Sequence, residues 1–142
     1  MAETRRLAGG CACGAVRFTA EAPREYGVCH CETCRRWTGG PNLAVDCGSG
    51  VEIEGPVSVW NSSDWAERGS CARCGSPLFY RLKATGAHYL AVGAFDDQEG
   101  WEMTEQIFID AKPAHFAFAN ETRTMTEAEV MAAWAASQSG EQ

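Results

Sequence analysis

Cys29-His30-Cys31-Glu32-Thr33-Cys34 sets three thiols within six residues, a density that core packing alone does not require. A disulfide accounts for it poorly, because a bridge from Cys29 to Cys31 would close a strained ring across one residue. Metal accounts for it better. Thiolates at C-x-C-x-x-C spacing wrap one soft-accepting ion, and zinc is the commonest ion that takes them without redox chemistry of its own. Two further pairs, Cys11-x-Cys13 and Cys71-x-x-Cys74, complete the pattern. Four thiolates close a tetrahedral shell, so these two knuckles join into a structural Cys₄ zinc site. The triplet Cys29, Cys31 and Cys34 is left one ligand short, and a zinc with an open position can take water or substrate and react.

Two residues compete to close that position and make the second site structural too. His30 sits between two ligands and points away from an ion they share. Cys47 lies in a β-type run after Cys34, where its other reading is a small buried hydrophobe. His88 and His115 stand among apolar or aromatic neighbours and read as packed or surface histidines rather than catalytic bases.

The elements that carry these groups are short. From Leu7 to Ala20 the sequence reads as loop and then strand, with Val16 and Phe18 alternating with Arg17 and Thr19 until Pro23. Gly14 and Gly75 follow the two knuckles and supply the positive-φ turns that such knuckles need. Tyr26–Cys29 leads into the triplet, and Glu32–Trp37 predicts one or two helical turns that Thr38-Gly39-Gly40-Pro41 ends. Asn42–Cys47, Val51–Glu54 and Val57–Asn61 form a rhythm of hairpins with no room for crossover helices. Trp65–Ser70 leads to the second knuckle. Pro77–Arg81 and His88–Phe95 read as strands, and Glu105–Asp110 as one more with Ile107 and Ile109 on one face. Thr126-Glu127-Ala128-Glu129 is a capping box opening a helix to about Ser137, whose Val130, Met131 and Trp134 stripe reads as core packing. The expectation is a mainly β chain of antiparallel sheets with a short C-terminal helix, one domain over 7–137, and a frayed tail over 138–142.

Composition narrows the partners. A net charge of −7 and a pI of about 4.9 argue against nucleic acid, which selects a basic face. Zinc on seven thiolates makes the balance more acidic still. The N-terminus has no apolar run after its arginines, and no stretch approaches a membrane span, so a cytoplasmic protein without membrane contact is expected. In a reducing compartment eight cysteines point to metal or catalysis rather than a disulfide framework.

Four segments, Gly9-Gly10-Cys11-Ala12-Cys13-Gly14-Ala15-Val16-Arg17-Phe18, Cys29-His30-Cys31-Glu32-Thr33-Cys34-Arg35, Thr38-Gly39 and Cys71-Ala72-Arg73-Cys74-Gly75-Ser76-Pro77-Leu78, resemble the successive motifs of the glutathione-dependent formaldehyde-activating enzyme family, which includes centromere protein V. Gly93-Ala94-Phe95-Asp96-Asp97 is similar to a weaker element of it, and the resemblance spans roughly 7–110. It implies a β-tent stapled by structural zinc on Cys11, Cys13, Cys71 and Cys74, with catalytic zinc on Cys29, Cys31 and Cys34. It also implies a carbon-sulfur lyase that forms or cleaves an adduct between a thiol, such as glutathione, and a small aldehyde, such as formaldehyde. Glutathione carries two carboxylates, so Arg35 and Arg36, and more weakly Arg73, are the candidate substrate-binding cations; a solvated helix face is their other reading. A non-catalytic zinc module that recruits a protein partner is the alternative function. Zinc-bearing methionine sulfoxide reductases share the β-tent, but their zinc cysteines come as two C-x-x-C pairs, which the first pair here does not match. The oligomeric state is not legible.

Overall fold

The computed structural model describes residues 3–138 and is mostly β. The strands are β1 (Arg5–Gly10), β2 (Arg17–Ala22), β3 (Glu25–Cys29), β4 (Asn42–Asp46), β5 (Val51–Glu54), β6 (Val57–Trp60), β7 (Ala66–Cys71), β8 (Pro77–Leu82), β9 (His88–Ala91), β10 (Glu102–Ile107) and β11 (Arg123–Met125). Two helices, α1 (Glu32–Thr38) and α2 (Glu127–Gln138), and two 3₁₀ turns complete the described chain. None of these helices is long and apolar enough to cross a membrane. Of the tail expected over 138–142, Gln138 instead ends α2, and residues 139–142 lie outside the described residues.

The chain divides into two compact units, one built from residues up to Tyr26 with Leu43–Glu102, the other from Gly27–Asn42 with the chain from Met103 onward. In the first unit β2 sits between β1 and β5, antiparallel to both, and β4, β9, β8, β7 and β6 lie side by side in that order. Its core follows from the strand alternation: Phe18, Ala20 and Ala22 of β2 are buried and meet Val45, Leu78, Phe79, Leu90 and Phe95. Gly69, Phe79, Leu90 and Val45 fall in one cross-strand row. A Cβ on Gly69 would stand 2.3 Å from the Phe79 ring, so the bare backbone is what lets that ring lie across it. Phe18 meets Phe95 edge-on at 5.2 Å between centroids. Fully burying each such side chain contributes about 1.5–3 kcal/mol.

In the second unit the strands run β11, β10, β3, with β10 and β11 parallel. Among its described residues the buried apolar set is small: Val28, Cys34 and Met103, beside the buried polar residues His30, Asn42 and Gln106. So small a set offers little hydrophobic stabilisation, and polar and cysteine contacts carry a larger share than in the first unit.

Several expectations are corrected. Leu7–Gly10, read as the start of a loop, belongs to a full strand that pairs β2 from Arg5↔Ala22 to Gly10↔Arg17. Its partner, not alternation of its own, makes it a strand. β5 and β6 do not form a hairpin with each other; β5 pairs β2, and β6 pairs β7. Ile107 and Ile109 do not share a strand face. Phe108, at φ 54 and ψ 43, breaks β10, and Ile109 begins a 3₁₀ turn. The apolar stripe of α2 is not core either. No residue of that helix is buried, and Met131 and Trp134 are 47% and 41% exposed. The capping box itself is formed: Glu129 Oε1 accepts from the Thr126 N–H at 2.8 Å, and Thr126 Oγ1 accepts from the Glu129 N–H at 3.2 Å. Asp110 Oδ1 accepts from the Glu127 N–H at 2.9 Å and ties the helix start to the chain after β10.

Candidate metal centres

Both knuckles of the first unit are turns closed by their own backbone. The Gly14 N–H donates to Cys11 O at 3.2 Å and the Gly75 N–H to Cys71 O at 2.9 Å, with Gly14 and Gly75 at φ 84 and 82, the left-handed region glycine enters at no steric cost. The four sulfurs of Cys11, Cys13, Cys71 and Cys74 consequently lie within 4.8 Å of one another. Cys11 Sγ to Cys13 Sγ is 3.6 Å and Cys13 Sγ to Cys71 Sγ is 3.8 Å. A disulfide needs about 2.0 Å. The edge of a sulfur tetrahedron around zinc, with Zn–S bonds of about 2.3 Å, is about 3.8 Å. The donor set and its spacing fit zinc.

Backbone and side-chain donors surround these sulfurs as a thiolate cluster requires. Cys71 Sγ accepts from the N–H groups of Arg73 and Cys74 at 3.3 and 3.4 Å. The Val16 N–H, 3.2 Å from Cys11 Sγ, holds that thiol below its ordinary range. Ser76 Oγ accepts from the Ala12 N–H at 3.1 Å, which leaves its own proton for Cys74 Sγ, also 3.1 Å away, and draws Cys74 down to about 5. Cys13 gives way to its neighbours: the Ala15 backbone favours its thiolate, but Cys11 beside it and burial push it up to about 11.

A thiol whose folded pKa is depressed adds stability in full above its ordinary value of 9.0, and that share is lost as pH falls toward about 5. The same protons compete with metal. Ser76→Ala removes the hydroxyl that favours the Cys74 thiolate, so its pKa rises and half-release of zinc in an acid titration moves to higher pH. An unshifted midpoint, read with a chromogenic chelator, would remove Ser76 from this role.

In the second unit the sulfurs of Cys29, Cys31 and Cys34 lie within 4.8 Å of one another. Cys29 ends β3, Cys31 is the N-cap of α1 and Cys34 is buried in that helix. Cys31 has extended backbone at φ −63 and ψ 160, and its Sγ accepts from the Cys34 N–H at 3.4 Å. Three soft donors at this spacing also suit zinc. The Cys29 thiol is pushed strongly up by Cys31, then Cys34, then burial. Among the described residues this group has three members.

The other sequence candidates fall elsewhere. Cys47 is 5% exposed in the core of the first unit, and burial pushes its thiol up to about 12. His30 turns from the sulfurs, with Nε2 2.8 Å from Gln106 Oε1. His88 is packed 4.9 Å from Phe79, and its Nδ1–H donates to Gly86 O at 3.1 Å. His115 is exposed beside Phe116. Arg36 donates to Glu32 Oε2 at 3.0 Å across a turn of α1, both side chains 70% exposed. Arg35 is half-buried, and among the described residues no hydrogen bond or ion pair engages its guanidinium. Arg73 is exposed in the second knuckle. Sequence reasoning missed Gln106, Thr122, Phe116 and Phe118, which the second unit gathers around His30; no periodicity or motif signals them.

A mostly β chain that groups four thiols in one unit and three in another carries two cysteine clusters, each of which could hold a metal ion. The chain belongs to the glutathione-dependent formaldehyde-activating enzyme family, whose model matches residues 6–111. It is 34% identical over 128 residues to a Schizosaccharomyces pombe protein named an uncharacterized lyase, covering 87% of this chain and 93% of that relative. It is 32% identical over 85 residues to a Halomonas elongata protein provisionally named a glutathione-dependent formaldehyde-activating enzyme, covering 51% of this chain and 54% of that one. In fold it is similar to a crystal structure of a Rhodobacter sphaeroides protein, with a TM-score of 0.55 and 20% identity over 69% of this chain and 100% of that one. Family and names support an enzyme of this kind.

Proposed function

We propose that the protein is a zinc-dependent carbon-sulfur lyase that forms or cleaves the adduct between a thiol, glutathione or one like it, and a small aldehyde such as formaldehyde. In the forming direction the thiol sulfur bonds to the carbonyl carbon, the C=O becomes C–OH, and the thiol proton ends on that oxygen. The reading is carried by the three-thiol group of Cys29, Cys31 and Cys34, against the four-thiol group that closes a shell. A zinc ion on three protein sulfurs lowers the pKa of whatever completes its coordination, the chemistry a thiol with a free pKa near 8.5 needs at neutral pH. The family and the relatives' names support the same reading.

Arg35 follows the third thiol on α1 and is the cation better disposed than Arg36 to meet a substrate carboxylate, because Arg36 is engaged by Glu32. Arg35→Ala is expected to raise the KM for glutathione about tenfold with zinc content unchanged, the worth of one charge-assisted pair. Steady-state kinetics with glutathione check this, and an unchanged KM removes Arg35.

The function is tested by exchange NMR of formaldehyde with glutathione and its hydroxymethyl adduct. Catalytic protein accelerates exchange above the spontaneous rate. Protein that carries zinc at both groups yet leaves the rate unchanged overturns the enzymatic reading and leaves a zinc-stabilised module for a protein partner.

A further inference from the structure

His30 lies between two of the three clustered cysteines and is only 2% exposed. Its Nε2 meets Gln106 Oε1 at 2.8 Å, and Gln106 Nε2 donates to Thr122 Oγ1 at 3.1 Å. The amide oxygen can only accept, so His30 carries its proton on Nε2 in this arrangement. The His30 backbone N–H donates to Ile107 O at 3.1 Å. Phe116 and Phe118 flank the imidazole at 5.9 and 6.1 Å between centroids. Gln106, on β10, is itself 7% exposed. A buried amide is expensive unless both of its ends are used, and an apolar side chain would fill the same space at less cost. Its place in a unit with few buried apolar side chains points to a demand on geometry, which a hydrogen-bonded polar chain meets by fixing one arrangement.

That demand is visible in the chain direction. In extended backbone successive side chains project to opposite sides, and this segment is extended at both neighbours, Cys29 ending β3 and Cys31 at φ −63 and ψ 160. Clamping the imidazole toward β10 therefore turns Cys29 and Cys31 together the other way, where Cys34 joins them one turn into α1. We propose that His30, Gln106 and Thr122 are positioning residues that hold Cys29 and Cys31 in metal-binding register from behind. This rests on the reading of the triplet as a zinc site given above.

Zinc affinity at each centre of the full-length, zinc-loaded protein is measured by chelator competition, with the visible spectrum of the cobalt-substituted protein as a second readout. Gln106→Met keeps length and removes the acceptor; Gln106→Glu keeps an acceptor oxygen. The methionine variant is expected to weaken the second zinc by about 10- to 100-fold, the usual effect of losing an outer partner, and to change the cobalt spectrum, while the first zinc stays and glutamate restores most of the affinity. Should Gln106→Met not fold, Thr122→Val releases the far end of the chain and is expected to weaken the same zinc by less than about tenfold. An unchanged second-site affinity and spectrum in a folded variant overturns the proposal, as does loss of both ions in parallel. A wild-type protein that takes up only one zinc overturns the function reading together with this one, a result distinct from either.

Discussion

Cys71→Ser is expected to strip the four-thiol centre of its metal and destabilise the first unit enough to be seen without denaturant. Cys71 is 2% exposed within the core cluster, its sulfur is 3.8 Å from Cys13 Sγ, and it accepts two backbone N–H groups. A serine oxygen keeps the polar contacts but is a hard, protonated donor that zinc takes poorly. Structural zinc contributes about 10–16 kcal/mol of apparent binding free energy, against a net stability of about 5–15 kcal/mol for an ordinary domain. Losing even a third of it leaves little margin. The expected outcome is a melting temperature lower by about 10 °C or more, or no soluble folded protein, together with one zinc fewer by native mass spectrometry. A variant with full zinc and an unchanged melting temperature would show that this cluster does not staple the fold.

Cys31→Ser is expected to have the opposite signature, with fold kept and turnover lost. Cys31 does two jobs, as a sulfur of the triplet and as the N-cap of α1, where its side chain accepts the Cys34 N–H. Serine is among the best N-cap residues, so the helix start survives with a change below about 1 kcal/mol. The soft thiolate is gone. With two sulfurs left, the site no longer holds zinc at working concentration, and adduct exchange should fall by at least about 100-fold, or about 2.7 kcal/mol of barrier. Exchange NMR and calorimetry on the same sample check both halves. Turnover within about threefold of wild type would remove Cys31 from the chemistry; collapse of the fold would make the triplet structural.

Spacing made much of the candidate site legible. Cysteines one and two residues apart reach one point through local turns, so Cys11 with Cys13, Cys71 with Cys74, and the triplet could be grouped without a structure. The joining of the two distant pairs followed from ligand number, and the grouped sulfurs agree with it. The capping box and α1 were legible for the same reason: their hydrogen bonds close within four residues. His30 was readable as pointing away from its neighbours' sulfurs, but its partner was not, since Gln106 lies 76 positions along the chain.

What the sequence determined by itself is the local chemistry: three cysteine groups, the turns that shape them, a β-rich alternation and a capped last helix. The tertiary structure decided which strands pair, that Arg5–Gly10 is a strand at all, that Cys47 is spent in the core, and that the α2 stripe faces solvent. It also decided that Gln106 and Thr122 form a hydrogen-bonded chain with His30 of the cysteine triplet. Backbone hydrogen bonds and side-chain packing between distant segments depend on register, and register is an energy of the whole assembly that no short window of sequence contains.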